Sequence, residues 1–168
     1  MALVSTSQTV TDQSATPIVK VNSLEKGGVL RTAQGFLAAA SFTGGTTGQW
    51  YTFCRIPVRA RVVGIRATMA TTTTGALKCG LYRPDGIAID DDAFSAITVT
   101  TGLIAAKVDT ATVFTPALRR DSIATAFATA ISTAGATGDA EVDIAMAIVT
   151  VIGTPVDCLL EVDYVLPE

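Results

Sequence analysis

EVDIAMAIVTVIGTPVDCLLEVDYVLPE, residues 141–168, contains two apolar runs on either side of GTPVD. In both runs every second residue is apolar, and alternation with a period of two is typical of half-buried β-strands. The stretch therefore predicts a β-hairpin with one face in a core and an outer face of acidic and small residues. The predicted inward residues are Val142, Ile144, Met146, Ile148, Cys158, Leu160, Val162 and Tyr164. The predicted outward residues are Glu141, Asp143, Ala145, Ala147, Asp157, Glu161 and Asp163.

Strand-like segments recur upstream of this stretch, separated by Gly-, Pro- and Thr-rich turns. About eight such strands without intervening helices predict an all-β protein, an antiparallel β-sandwich of jelly-roll-like type. Pro57 is expected at a strand end or sheet edge, and RPDG (83–86) predicts a tight turn. Pro116, Leu118, Ile123 and Phe127 allow at most one short helix. The strand segments are 29–40, WYTFCRIPV (50–58), RARVVGIRATM (59–69), ALKCGLYR (76–83), IAID (87–90) and SAITVTTGLIAAKV (95–108).

The N-terminal segment differs from the remainder of the chain. Residues 1–27 are polar, rich in Ser and Thr, and without periodicity, so we expect an extended arm that orders on a partner. The sandwich domain is expected over residues 28–168. The first residues lack a basic region followed by an apolar run, which predicts no signal peptide. The apolar stretch 144–152 is too short to span a bilayer, so no membrane association is expected.

Composition points to extensive contacts with other protein surfaces. Charged residues are 16% of the 168 residues, whereas about 25% is typical. One interpretation is a neutral, Thr-coated monomer; the interpretation we favour is that part of the surface lies against other subunits. The net charge of −3 argues against nucleic-acid binding, which needs clustered cations.

The residue types needed for most catalytic and metal sites are scarce. The chain has no histidine, which excludes Ser-His-Asp triads and removes the commonest general base and metal ligand. Cys54, Cys79 and Cys158 lack CxxC spacing, so we expect buried free thiols rather than a zinc site. The sequence predicts no catalytic, cofactor-binding or metal-binding residues and therefore no enzyme.

Two charged clusters are candidates for a site. Asp85, Asp90, Asp91 and Asp92 could hold calcium through oxygen ligands or serve a hydrolase, but their spacing is not that of an EF-hand loop. A solvated acidic loop is the favoured interpretation. The arginines could bind nucleic acid, but pairing with the acidic face of the hairpin or with a neighbouring subunit fits better, because Arg66 has opposite parity to Arg59 and Arg61. The full set is Arg55, Arg59, Arg61, Arg66, Arg119 and Arg120.

Two further motifs have structural explanations. FTGGTTGQW (42–50) lacks the lysine of a phosphate-binding loop and predicts a connecting loop. Trp50, Tyr51 and Phe53 are typical of a core or an aromatic ladder, with a carbohydrate platform as the alternative.

Several segments resemble a group of small virion proteins of tailed bacteriophages, the capsid cement or decoration proteins. The resemblance covers about residues 28–166 and rests on structural motifs. It is carried by RIPVRARVVGIRATM (55–69), GALKCGLYRPDGIAIDDDAF (75–94), DAEVDIAMAIVTVIG (139–153) and LLEVDYV (159–165).

The resemblance implies a jelly-roll sandwich bound to the outside of an icosahedral head, across joints between major capsid proteins. It implies a homodimer or homotrimer that is made in the host cytoplasm and located on the capsid surface, with no cofactor. Contacts are expected through the arm and the outward face of the C-terminal strands. The alternative is a tail or fibre-associated virion protein that binds host glycans through Trp50 or loop tips.

Overall fold

A computed structural model of the chain describes residues 29–39, 46–71, 75–99, 102–107, 121–152 and 157–166. Eight strands and two short helices lie in these ranges. The strands are β1 (Val29–Leu37), β2 (Trp50–Pro57), β3 (Arg61–Thr71), β4 (Gly75–Tyr82), β5 (Ala88–Val99), β6 (Gly102–Lys107), β7 (Glu141–Thr150) and β8 (Cys158–Leu166). The helices are α1 (Ile123–Ala126) and α2 (Ala128–Thr133).

The strands form two four-stranded sheets in which every observed pair is antiparallel. Sheet A has the order β1-β8-β3-β6, and sheet B has the order β2-β7-β4-β5. Consecutive strands therefore lie in different sheets, except for β4 and β5, which are neighbours in sheet B. This distribution of eight strands over two sheets is the jelly-roll topology. The predicted all-β, jelly-roll-like sandwich is confirmed.

The predicted C-terminal hairpin is wrong. β7 lies inside sheet B between β2 and β4, whereas β8 lies inside sheet A between β1 and β3. The chain therefore crosses from one sheet to the other between these strands. Alternation specifies which face of a strand is buried, but it carries no information about which strand lies alongside.

The core fills the space between the two sheets and contains the residues that alternation placed there. Val142, Ile144, Met146 and Ile148 of β7 are fully buried, as are Cys158, Leu160 and Val162 of β8. Tyr164 is partly buried and packs against the same cluster. The inward faces of β3 and β4 complete this core with Val62, Ile65, Ala67, Met69, Leu77, Cys79 and Leu81.

A β-bulge changes the face assignment of β3. Its register with β8 shifts between Val62 and Gly64, so Val62 and Ile65 are both buried although their parity differs. The bulge also places Arg61 and Arg66 opposite Val165 and Glu161, two residues of the same β8 face. The prediction that these arginines lie on opposite faces is wrong, because an extra residue in one strand reverses parity beyond it.

The turns follow the chemistry of their residues. Pro57 ends β2 at the edge of sheet B, as expected for a residue without an N–H donor. In the turn that joins β4 to β5, the Gly86 N–H donates to the Arg83 carbonyl at 2.9 Å, and Gly86 has φ of 91°. Glycine adopts this left-handed conformation without strain.

The described part of the predicted helical region contains two short helices, α1 and α2, instead of at most one. Ser122 caps α1, since its side chain accepts a hydrogen bond from the Thr125 N–H. Ile123 is buried, and Phe127 packs edge-on against Phe94 with ring centroids 5.8 Å apart. Pro116 and Leu118 lie outside the described residues, as does the predicted arm, residues 1–27.

The three cysteines are free, with Cys79 and Cys158 buried and Cys54 partly buried. Burial raises the pKa of Cys158 to about 12, and burial together with nearby Asp143 raises the pKa of Cys54 to about 12. These thiols stay protonated near neutral pH and act as small apolar side chains.

Candidate interaction surfaces

The outer face of sheet A carries a hydrogen-bonded polar ladder at its centre. We call it the A face and define it by the outward residues of β1, β8 and β3. Thr32 donates to Asp163 at 2.6 Å, and Gln34 donates to Glu161 at 2.9 Å. Glu161 also accepts from Arg66 at 3.0 Å. The A face comprises Leu30, Thr32, Gln34, Phe36, Leu159, Glu161, Asp163, Val165, Arg61, Arg66 and Thr68.

Apolar side chains lie at both ends of this ladder. Leu30 pairs with Val165 at one end, and Phe36 pairs with Leu159 at the other. Leu30 and Phe36 are 63% and 62% exposed, the largest values among the exposed large apolar residues of the described chain. The middle of the A face is therefore polar, and its side chains are hydrogen-bonded to one another. Its edge strand carries solvent-exposed apolar groups.

The outer face of sheet B, which we call the B face, is covered along the middle of β7. Ala145 and Ala147 of β7 are on this face, and both are buried. Thr52 and Gly80 flank Ala145 in the neighbouring strands. A Cβ added to Gly80 would lie 2.5 Å from the Asp90 carbonyl oxygen, so the β5 backbone itself covers the face at this point.

Aromatic side chains cover another part of the B face. Trp50 stacks on Tyr82 with ring centroids 5.0 Å apart and an interplanar angle of 17°, and Gly86 lies against the edge of the indole. Burial, followed by the charge of Asp91, raises the pKa of Tyr82 to about 12. Trp50 remains 40% exposed, and Ile87 of the adjacent turn is 50% exposed. Tyr51 and Phe53 pack against the core instead.

One acidic residue on each face forms an ion pair with an arginine. Arg55 binds Asp143 through two hydrogen bonds of 2.6 and 3.1 Å, and this contact raises the pKa of Arg55 above its ordinary value. Arg66 pairs with Glu161. The predicted use of arginines against the acidic residues of the C-terminal strands is confirmed for Arg55 and Arg66. Arg119 and Arg120 lie outside the described residues.

The aspartates of the candidate calcium cluster do not form the predicted solvated acidic loop. Asp85 lies in the turn, where it accepts a hydrogen bond from the Ile87 N–H at 3.2 Å, whereas Asp90, Asp91 and Asp92 lie within strand β5. Asp91 forms an ion pair with Lys78. Across the described ranges, no three Asp, Glu or Cys side chains are grouped so that they could hold a metal ion.

Asp90 lines an open depression of about 430 Å³ whose other walls are residues 125–130. Burial is the main reason that the pKa of Asp90 lies above its ordinary value, and a side-chain hydrogen bond with Asp92 contributes. The walls are mostly Ala and Thr, so the depression offers no second charged group for acid–base chemistry.

Sequence reasoning missed the exposed apolar residues of β1 and the cover on the B face. Leu30 and Phe36 have the same parity as the polar residues Thr32 and Gln34. This shared parity was the sequence feature that could have indicated their exposure. Tyr82 falls within the predicted strand segment ALKCGLYR, and its stack with Trp50 depends on β7 lying between β2 and β4.

No helix in the described ranges is long and apolar enough to cross a membrane.

Comparison with known proteins shows similarity at the level of the fold. No family model and no curated protein matches the chain significantly. A chain in the capsid of Ralstonia phage GP4 aligns with a TM-score of 0.53 and 12% identity, over 84% of this chain and 87% of that chain.

Two further phage capsid structures contain similar chains at lower TM-scores. In the capsid asymmetric unit of cyanophage Pam1 the TM-score is 0.44 and the identity 16%, over 84% of this chain and 87% of that one. In the acid-stable capsid of Helicobacter pylori bacteriophage KHP30 the TM-score is 0.45 and the identity 12%, over 84% of this chain and 91% of that one. At 12% identity the GP4 comparison shows that this chain shares its fold with a chain of that capsid.

Proposed function

We propose that this protein is a non-enzymatic structural component of a bacteriophage virion and acts as a capsid cement or decoration protein. In this role it binds the outer surface of the head and stabilises the joints between major capsid subunits. The observation that carries the proposal is the alignment of 84% of the chain with a chain of the GP4 capsid. The motif resemblance over residues 28–166 independently favours the same class of protein.

The surface of the sandwich fits a protein that is covered by neighbours. The chain has twelve basic and fifteen acidic residues, and several of these charges are already paired within the molecule. Arg55, Arg66, Lys78 and Arg83 each pair with a carboxylate. The remaining surface is rich in small neutral and exposed apolar groups, a composition suited to the buried centres of protein interfaces.

Because a capsid shell presents the same surface many times, weak individual contacts are sufficient for stable binding. Each copy would meet the same capsid surface and the same neighbouring copies, so linked contacts add avidity without large individual affinities. We propose the arm, residues 1–27, and the A face as the contacting parts, with the major capsid protein and further copies of this chain as partners. This assembly needs no cofactor, nucleic acid or membrane.

The decisive experiment adds purified protein to heads that lack it and measures occupancy by electron microscopy. We expect binding on the outer head surface at regular positions and greater resistance of the heads to heat. Label on the tail instead of the head would overturn the cement role and favour the tail or fibre alternative. That alternative depends on Trp50, whose indole is 40% exposed but stacked on Tyr82; a glycan array with Trp50→Ala as control tests it.

The contribution of the arm is tested by deleting residues 2–25. The first described strand begins at Val29, so we expect the truncated protein to keep its circular dichroism spectrum and melting temperature but to lose head binding. A matched control replaces the same residues with a Gly/Ser sequence of equal length, which keeps chain length while removing side-chain contacts. Decoration by the truncated protein at wild-type occupancy would contradict the role of the arm.

A further inference from the structure

Strand β1 is an edge strand with few of the features that usually protect such an edge. It pairs with β8 over all nine residues, Val29 to Leu37, without a register shift, and it is the outermost strand of sheet A in the described structure. Its sequence, VLRTAQGFL, has no proline and a single charged residue, Arg31. Natural edge strands are generally blunted by bulges, prolines or charges, because a regular edge invites another strand to pair.

The neighbouring edge strand of sheet B, β2, has the protecting features that β1 lacks. β2 has a bulge between Thr52 and Cys54 and ends at Pro57. A Cβ on Gly35 would lie 2.0 Å from the Phe53 carbonyl oxygen, so the β1 backbone rests directly on β2. This close contact holds β1 in place, and within the described residues no strand pairs with its outer edge.

The side chains of β1 are complementary to a second copy of the same strand. Antiparallel pairing about a two-fold axis at Ala33 aligns all nine residues of both copies. In that register each exposed Leu30 lies opposite the other copy's Phe36, and each Thr32 lies opposite the other copy's Gln34. Residues directly opposite in an antiparallel pair lie on the same face with their Cβ atoms in contact range.

The remaining pairs of this register involve the other face of the strand. Val29, which is 48% exposed, lies opposite the partly buried Leu37, and the exposed Arg31 lies opposite Gly35, whose Cβ position is occupied by the β2 backbone. Registers shifted by two residues pair Leu30 with Gln34 or with Ala38 and shorten the ladder. Full overlap and apolar pairing therefore occur together in a single register.

We propose that two copies of this protein associate edge to edge through β1, which joins two A faces into one continuous eight-stranded surface. The proposal rests on the proposed function only in using a second copy as partner, and it specifies the surface for that contact. A single pair of edge strands is smaller than the roughly 1,200 Å² of a stable interface. We therefore expect a weak dimer in solution that becomes fully populated where copies are held close together.

Charge substitutions at the two exposed apolar positions test the register. Leu30 and Phe36 are about 20 Å apart along one strand, from the usual rise per residue, so charges placed there act on the other copy and hardly on each other. The double variant Leu30→Lys, Phe36→Lys places like charges opposite each other. The double variant Leu30→Lys, Phe36→Glu places opposite charges together at both positions.

Sedimentation equilibrium over the accessible concentration range measures the dimer dissociation constant of the full-length protein. We expect the Lys/Lys variant to weaken the dimer by more than about tenfold, because like charges directly across an interface are strongly unfavourable. The Lys/Glu variant is expected to stay within a few-fold of wild type. The matched control Val149→Lys removes an exposed apolar residue from the B face and is expected to leave the dimer unchanged.

A mixing experiment keeps the test valid if either variant has altered stability. The Leu30→Lys, Phe36→Lys protein and the Leu30→Glu, Phe36→Glu protein should each be monomeric alone and should form heterodimers when mixed. Equal weakening by the Lys/Lys and Lys/Glu variants, a wild-type monomer at all concentrations, or a trimer insensitive to both changes would overturn the pairing.

These outcomes are separate from those that test the cement role. Monomers that still decorate heads contradict the edge pairing alone. Dimers that follow the charge pattern but ignore heads support the pairing and contradict the proposed function.

Discussion

β7 and β8 have nearly the same alternating sequence pattern but lie in different surroundings. On β7 both faces are buried from Val142 to Ile148. On β8 the inward residues are buried, whereas Glu161 and Asp163 remain partly exposed in the polar ladder of the A face. The outward residues explain the difference: β7 has Ala145 and Ala147, which leave room for covering groups, and β8 has carboxylates, which need water or donors.

The largest expected effect comes from placing a charge on the covered face of β7. Ala145→Glu buries a carboxylate between Thr52 and Gly80, where the β5 backbone leaves no space and no basic group is in register. We expect a loss of about 3 kcal/mol or more in the free energy of unfolding, measured by urea denaturation.

The matched control is Leu159→Glu, an outward position on β8 that is partly exposed. There the carboxylate can reach solvent, so we expect a loss of less than about 1 kcal/mol. Equal losses for the two variants would show that the B face is as open as the A face.

Glycine substitutions on the two faces test the same difference in covering, with a somewhat smaller expected loss of stability. A methyl group on Gly80 would lie 2.4 Å from the Asp91 carbonyl carbon, whereas one on Gly64 meets nothing closer than an Asp163 carboxylate oxygen at 3.8 Å. We expect Gly80→Ala to lower the free energy of unfolding by about 2–3 kcal/mol, because the overlapping atoms belong to backbone. Gly64→Ala should change it by less than about 0.5 kcal/mol, and a comparable loss at both sites would contradict the close approach of β5.

The ion pairs of the two faces should differ in the same direction. The Asp143 side chain is 7% exposed and accepts two hydrogen bonds from Arg55, whereas the Glu161 side chain is 21% exposed in its pair with Arg66. We expect Asp143→Asn to lower the free energy of unfolding by about 1–2 kcal/mol, since a charged hydrogen-bonded acceptor is lost from a buried position. Glu161→Gln should have an effect of about 0–1 kcal/mol, and a larger loss at Glu161 would reverse the ranking of the two faces.

The sequence predicted the fold class because alternation, turn residues and Pro57 all act locally. It also predicted which residues of β7 and β8 face the core. Strand partners could not be predicted, because the pairing of β7 with β2 and β4 depends on contacts between segments distant in sequence. The reversed parity of β3 came from one bulge at Val63, which has no distinctive side chain.

The candidate surfaces were predicted in part for the same reason. The acidic residues of the C-terminal strands and the arginines that neutralise them are visible as complementary charges in the sequence. The exposure of Leu30 and Phe36 was not predicted, because an apolar residue in a strand is usually assigned to the core. Exposure at an edge becomes apparent once the strand order is known.

The smallest expected effect concerns Asp90, which lies where β5 meets the helical region. Its folded-state pKa lies above the ordinary value, chiefly because of burial and then because of Asp92. The folded chain therefore binds this proton more tightly than the unfolded chain does. The stabilisation is fully present below the unfolded-state pKa and is lost as pH rises through the folded-state pKa.

Asp90→Asn removes this ionisation and should raise the free energy of unfolding at pH 7 by a few tenths of a kcal/mol, since the group is partly solvated. The asparagine oxygen can still accept the weak hydrogen bond from the Asp92 N–H that Asp90 accepts at 3.4 Å. Urea denaturation at several pH values checks the sign, because the advantage of the variant should shrink as acidification protonates Asp90 in the wild type. An advantage that grows towards acid pH would mean that the Asp90 carboxylate is stabilised in the fold, and the depression beside α2 would then be more polar than its Ala and Thr walls indicate.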